Sequence, residues 1–303
     1  MAPAHAAGLK GMRGALVSVL RQTLACTLAR MLVRMFPRML ALTLTLTLTL
    51  TLTLTLALCG VASAQERLLP LAAVRSGLAF AGRDVVAMQA DVAANPAQLW
   101  LAQGRALWDA SAGAAQRACK SCHGEASTMK GVAVAFPRLH AGSGRLHNLE
   151  DQIRHCRAQR QQAPVPDFES DELLALTALV TQASVGLPLR VGDDPALRPH
   201  LHAGAALFQR RQGQLNLACT NCHDSHWGQR FYTDLLSQGQ PNGYPLYRLE
   251  WQKLGSLERR LRSCHVGIRA EPPAYGDLSL RQLTLYLNWR GQGLPIEMPA
   301  VRK

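Results

Sequence analysis

The chain has 303 residues, a formal net charge of +13 and 5% aromatic residues. That length holds two domains of ordinary size. No basic run is interleaved with aromatics, which argues against nucleic-acid binding; the surplus of positive charge suits an anionic substrate or an acidic partner.

Residues 1–65 contain no acid, and Lys10, Arg13, Arg21, Arg30, Arg34 and Arg38 precede an apolar run from Met39 to Val61. Ala62-Ser63-Ala64 follows with the small residues a signal peptidase needs, so residues 1–64 read as a secretory signal cleaved after Ala64. The alternative is an uncleaved anchor. A true start at Met31, Met35 or Met39 would shorten the long positive stretch, and Leu58 before Cys59 is too large for a lipoprotein site. Six of the thirteen excess charges leave with the signal, so the mature chain carries +7. Export predicts a periplasmic protein.

Residues 65–100 have no sustained period and read as an N-terminal extension with a short helix, packed on the first domain or on a partner subunit. The first domain, 101–188, opens with a helix through Gly104, Leu107 and Trp108 and leads into Cys119-Lys-Ser-Cys122-His123. Two thiols one helical turn apart can add to the two vinyl groups of a haem, and the next residue, His123, then reaches the iron. A disulfide or half of a zinc site are the competing readings of such a motif. Met129 lies too close to His123 to swing to the opposite haem face, and reads as packing.

A stripe of Leu146, Leu149, Ile153 and Cys156 predicts a helix, capped by Asn148 with Asp151 three residues on. Pro164 and Pro166 break the chain, an amphipathic helix is predicted over 170–184, and Gly186-Leu187-Pro188 ends it. Residues 189–199, with Gly192, Pro195 and Pro199, read as a linker.

The second domain, 200–303, repeats the first. Gly204, Leu207, Phe208, Cys219, Cys222 and His223 stand 100 residues after Gly104, Leu107, Trp108, Cys119, Cys122 and His123. Its stripe of Leu254, Leu257, Leu261 and Cys264 copies the one ending at Cys156, and a closing helix is predicted over 278–289. The fold class is therefore all-α: two tandem class I cytochrome c-like domains from an internal duplication, with an N-terminal extension and two covalently bound haem c groups. Between haem motif and stripe, the second copy inserts a longer segment, Trp227–Leu254, rich in Gly, Pro and aromatics, which lines a haem entrance or docks a partner.

The residue opposite each histidine decides the chemistry. Met88, Met129 and Met298 occupy no matching positions, and His155 and His265 do not correspond in the aligned copies. Cys156 and Cys264 do correspond, which leaves two thiolate-ligated haems or a Cys156–Cys264 disulfide; a cysteine in each domain argues against the disulfide. Arg260 lies one turn before Cys264 on nearly the same face, whereas the first copy has Gln152 there. The second half is thus the reactive candidate.

These motifs resemble SoxA, the dihaem cytochrome subunit of the L-cysteine S-thiosulfotransferase SoxAX, from Arg75 onward. The most specific parts are Gly213-Gln-Leu-Asn-Leu217 before the second haem motif, Tyr244-Pro-Leu-Tyr-Arg-Leu-Glu-Trp251, and the arginine-cysteine helix followed by Gly-Ile-Arg-Ala. The resemblance implies that His123 and Cys156 ligate one haem and His223 and Cys264 the other. It also implies that Cys264 carries a persulfide, that Arg260 binds thiosulfate, and that the partners are a small monohaem cytochrome (SoxX-like) and a sulfur-carrier protein (SoxYZ-like). His265, beside Cys264, is the other candidate for the second iron, and Arg269 a further candidate for substrate. The rival functions are a dihaem electron carrier without sulfur chemistry and a dihaem peroxidase, which would need a vacant haem site.

Overall fold

Short helices set by local caps, joined by brief strands, make up the fold of the computed structural model. It describes residues 70–303 and positions 28, 31, 44, 45, 47 and 48. The signal reading of 1–64, its cleavage after Ala64 and the reading of Cys59 lie outside the described residues. Among the described residues, no helix is long and apolar enough to cross a membrane.

Within residues 70–303 nine α-helices follow one another: α1 (Arg83–Ala90), α2 (Gln98–Asp109), α3 (Lys120–His123), α4 (Leu149–Cys156), α5 (Asp171–Gln182), α6 (Arg198–Gln209), α7 (Cys219–His223), α8 (Leu257–Gly267) and α9 (Leu278–Arg290). The predicted 170–184 and 278–289 helices are α5 and α9, each begun by a capping side chain: Ser170 Oγ accepts from Leu173 N–H and Asp277 from Ser279 N–H. Strands are short: β1 (Arg138–Leu139) pairs antiparallel with β2 (Leu146–His147), and β3 (Arg230–Phe231) with β4 (Asp234–Leu235). Central β5 (Leu246–Arg248) pairs antiparallel with β6 (Lys253–Gly255) and parallel with β7 (Ala300–Arg302).

The two stripes start later than their periodicity predicts. Leu146 lies in β2 and Leu254 in β6, both buried, and the helices begin only after Asn148 and Ser256. At each site the cap residue is extended, so an apolar residue with helical spacing is drawn into a strand pair instead. Ser256 Oγ accepts from Arg259 N–H at 3.1 Å, while the Asp151 carboxylate accepts from Asn148 N–H at 2.9 Å.

Equivalent geometry recurs in the two halves. α2 packs on α5 and α6 on α9, and each contact needs a glycine: a Cβ on Gly104 would stand 2.4 Å from Ala175 O, and one on Gly204 2.1 Å from Gln282 O. Asn148 and Ser256 are 108 residues apart, Ala175 and Gln282 only 107. A single π-helical turn, Arg157–Gln161, directly after Cys156 takes up the extra residue.

Each half has its own buried cluster, around Trp108 and Leu176 in the first and Phe208 and Leu283 in the second, and a third cluster joins them. Val85, Leu101, Val134, Leu174, Tyr247, Leu254, Met298 and Val301 form a single buried cluster. Gly186-Leu187-Pro188-Leu189 and Gly293-Leu294-Pro295-Ile296, alike in sequence, pair with each other through Gly186 N–H to Ile296 O, 3.1 Å, and Leu189 N–H to Leu294 O, 2.8 Å. Leu189 and Leu197, at the ends of the predicted linker region, are buried. Residues 70–97 also reach the second half, a correction to the expectation of contact with the first domain or a partner alone. Gln238 accepts from Arg75 N–H and donates to Ala73 O, and Gln89 accepts from Val301 N–H and Arg302.

Candidate haem and sulfur site

α7 and α8 build the second site. α7 is a single turn carrying Cys219, Cys222 and His223. His223 Nδ1 donates to Ser237 O at 2.7 Å, so the ring is fixed by the insertion and its Nε2 turns away, towards Cys264. Gly239 lies flat against that ring: with φ +70°, an added Cβ would stand 3.0 Å from His223 Cγ.

α8 brings Cys264 to face His223 from the other side. Burial pushes the Cys264 thiol up, but the Arg260 guanidinium, His223 and Arg248 together outweigh it and bring the thiol down to about 7. Arg260 in turn is raised, chiefly by Cys264. The three arginines of the basic run diverge. Arg259 stacks on Trp251, 4.3 Å from the ring centre, and pairs with Glu169; Arg262 stacks on Tyr275 and donates to Pro273 O. Arg260 alone turns to the sulfur, so its place one turn before Cys264 matters more than its membership of a charged run.

Two members of this cluster come from the insertion. Arg248, on β5, and Tyr244, just before it, both act electrostatically on Arg260 or Cys264. The sequence of the 244–251 block gives neither residue a role: an arginine two residues before an acid in a strand carries no sign of pointing to a thiol. Arg269 is elsewhere: it is exposed, at φ +57° in the turn after α8, with its carbonyl accepting from Gln214 N–H. His265 is buried and spoken for, with Nδ1 donating to Leu261 O at 2.8 Å and Nε2 3.1 Å from Gln212 Nε2.

The first site repeats the frame with different chemistry. α3 carries Cys122 and His123 directly after Cys119, and Trp108 lies beside His123 with ring centres 5.8 Å apart. Cys119 senses the charge of Cys156, which places the α4 sulfur near this motif. Gln152 Nε2 lies 3.5 Å from Cys156 Sγ, so an amide occupies the position that Arg260 takes beside Cys264. His155 faces away, ringed by His140 and His147. All six cysteines of the described residues are free, which corrects the alternative of a Cys156–Cys264 disulfide and leaves both CxxCH pairs available for thioether bonds.

Paired thiols and a histidine on one turn, facing a sulfur donor from another helix, are a donor set that fits covalently bound haem c. The fold and site define a c-type cytochrome. A family model described as SoxA/TsdA, cytochrome c domain, matches residues 103–189. The L-cysteine S-thiosulfotransferase subunit SoxA of Pseudaminobacter salicylatoxidans is 38% identical over 231 residues, covering 75% of this chain and 80% of the relative. The SoxA subunit of Paracoccus pantotrophus is 31% identical, covering 76% and 79%. The crystal structure of SoxXA from P. pantotrophus superimposes with a TM-score of 0.73 at 31% identity, covering 76% of this chain and 87% of that one. The chain belongs to the SoxA family.

Proposed function

We propose that this chain is the SoxA subunit of a periplasmic L-cysteine S-thiosulfotransferase, a tandem pair of cytochrome c-like domains holding two haem c groups. Cys119 and Cys122 would anchor the first, with His123 and Cys156 as the donors to its iron. Cys219 and Cys222 would anchor the second, with His223 and Cys264. The occupied nitrogens of His265 support Cys264 over His265. The signal at 1–64 would export the chain, a small SoxX-like monohaem cytochrome would pair with it, and a SoxYZ-like carrier would receive the sulfur.

The observation that carries this reading is the convergence of Arg260, Arg248 and His223 on Cys264, where the first site offers Cys156 a neutral Gln152. Thiosulfate is a dianion, and guanidinium groups suit a sulfonate through charge-assisted hydrogen bonds. Arg260, backed by Arg248, holds the sulfonate end and directs the outer sulfur to Cys264, as a thiolate or its persulfide. A sulfur–sulfur bond forms, and two electrons leave one at a time. The carrier cysteine's thiolate then attacks the thiosulfate's outer sulfur, breaking its bond to Cys264 and leaving the carrier with S–SO3⁻ and Cys264 with its thiolate or persulfide restored. Bound haem supplies the one-electron acceptor. The first site, with Gln152 in place of an arginine one turn before its sulfur, serves electron transfer alone.

Intact mass of the mature protein before and after a thiol reductant, for wild type and Cys264→Ala, tests this. Two covalent haems and an extra sulfur, removed by reductant and absent from the variant, are expected. Two haems without removable sulfur would favour a plain dihaem electron carrier, and fewer than two would overturn the reading.

A further inference from the structure

On the side of α4 turned away from the first haem motif, the structure holds a second cationic site. Leu149, Gln152, Ile153 and Cys156 share one face of α4; Asp151, Arg154 and His155 share the opposite face, where a cleft of about 390 Å³ opens between the halves. Arg145, His147, Arg154 and Arg281 line it, with Phe168 and Tyr275 as its aromatic wall. Its acid, Asp151, is engaged by Arg281 through two hydrogen bonds of 2.6 and 2.5 Å, so Arg145 and Arg154 remain as uncompensated charges.

Two polar nitrogens are buried here without a partner: Arg154 Nη1 and His147 Nδ1. Sealed polar groups of this kind cost stability unless something satisfies them. The second half shows what satisfaction looks like. Arg262, 108 residues after Arg154, stacks on Tyr275 as Arg154 stacks on Phe168, with guanidinium carbons 4.4 and 3.9 Å from the ring centres. Arg262 donates to the carbonyl of Pro273; Arg154, which has Pro166 at the equivalent place, makes no such bond. One arginine of the pair is closed by its own chain; the other lines a cleft and keeps one nitrogen unpaired.

We infer that this cleft is a second oxoanion site, distinct from the Cys264 pocket, that takes a tetrahedral sulfate-type anion between Arg154, Arg145 and the His147 ring. Arg154 is held rigid by Phe168, which favours a fixed two-pronged grip on two oxygens, and Arg145 at the exposed rim adds charge.

Equilibrium dialysis of the haem-loaded protein against radiolabelled inorganic sulfate at low ionic strength tests it, in an Arg260→Gln background that removes the arginine assigned to the catalytic pocket. One saturable site is expected, weakened at least tenfold by Arg154→Gln and unaffected by Arg160→Gln, an exposed charge control. Arg145→Gln at the rim weakens binding without touching a buried group, should Arg154→Gln disturb folding. Equal binding by the Arg154 and Arg145 variants and their parent, equal loss in the Arg160 control, or no saturable site would each overturn the inference.

Discussion

Arg260→Gln gives the second pocket the amide that Gln152 gives the first, and isolates what the guanidinium does. A charge-assisted hydrogen bond is worth about 1.5–3 kcal/mol. At about 1.4 kcal/mol per tenfold, its loss lowers kcat/KM for thiosulfate about ten- to hundredfold. Arg248 sets where in that range the result falls. Burial and repulsion from Arg260 both depress Arg248, so removing Arg260 relieves one strain and leaves a cation in the pocket. The lower end, about tenfold, is therefore expected for the single variant, with Arg248→Gln/Arg260→Gln lower still. The assay is the steady-state rate of thiosulfate coupling to the carrier cysteine, with haem content read from the absorbance spectrum. A variant with both haems and a kcat/KM unchanged from wild type would refute the assignment of Arg260 to substrate.

Glu150 and Glu258, 108 residues apart in the first turns of α4 and α8, are raised by burial to about 8 and about 7; Glu258 raises Glu150 further, and Asp151 and Glu169 add to both. A carboxyl whose folded value exceeds its unfolded one holds its proton more tightly when folded, so stability is highest at acid pH and falls as pH rises from the unfolded value towards 7–8. The slope is at most about 1.4 kcal/mol per pH unit per group; Glu150→Gln should melt like wild type at pH 5 and above it at pH 8, and parallel melting curves across that range would contradict the burial argument. Gly204→Ala drives a methyl into Gln282 O and should cost about 1–3 kcal/mol or more, seen as a lower thermal midpoint; Gly104→Ala should do the same against Ala175 O. Gly239→Ala presses on the His223 ring and should change the spectrum of the second haem and not the first. Identical spectra would show that the insertion does not hold that histidine.

Much of what near neighbours govern was legible in the sequence. Haem attachment needs two thiols and a histidine on one turn, and the CxxCH spacing states it directly; the cap at Asn148, the apolar periods of α5 and α9, and the placing of Arg260 one turn before Cys264 are all contacts within a few residues. The tertiary structure decided what distant segments do to one another. Leu146 and Leu254 fit a helical period, yet strand pairing claims them before the helix can begin. Gly186-Leu187-Pro188 and its echo pair with each other, which a repeat in sequence does not disclose. Arg248 and Tyr244 reach the Cys264 pocket only because β5 is fixed between β6 and β7, and His265 is turned aside by Gln212, 53 residues away. Periodicity fixes which face of an element a side chain occupies; which other element meets that face depends on how the whole chain closes around its core.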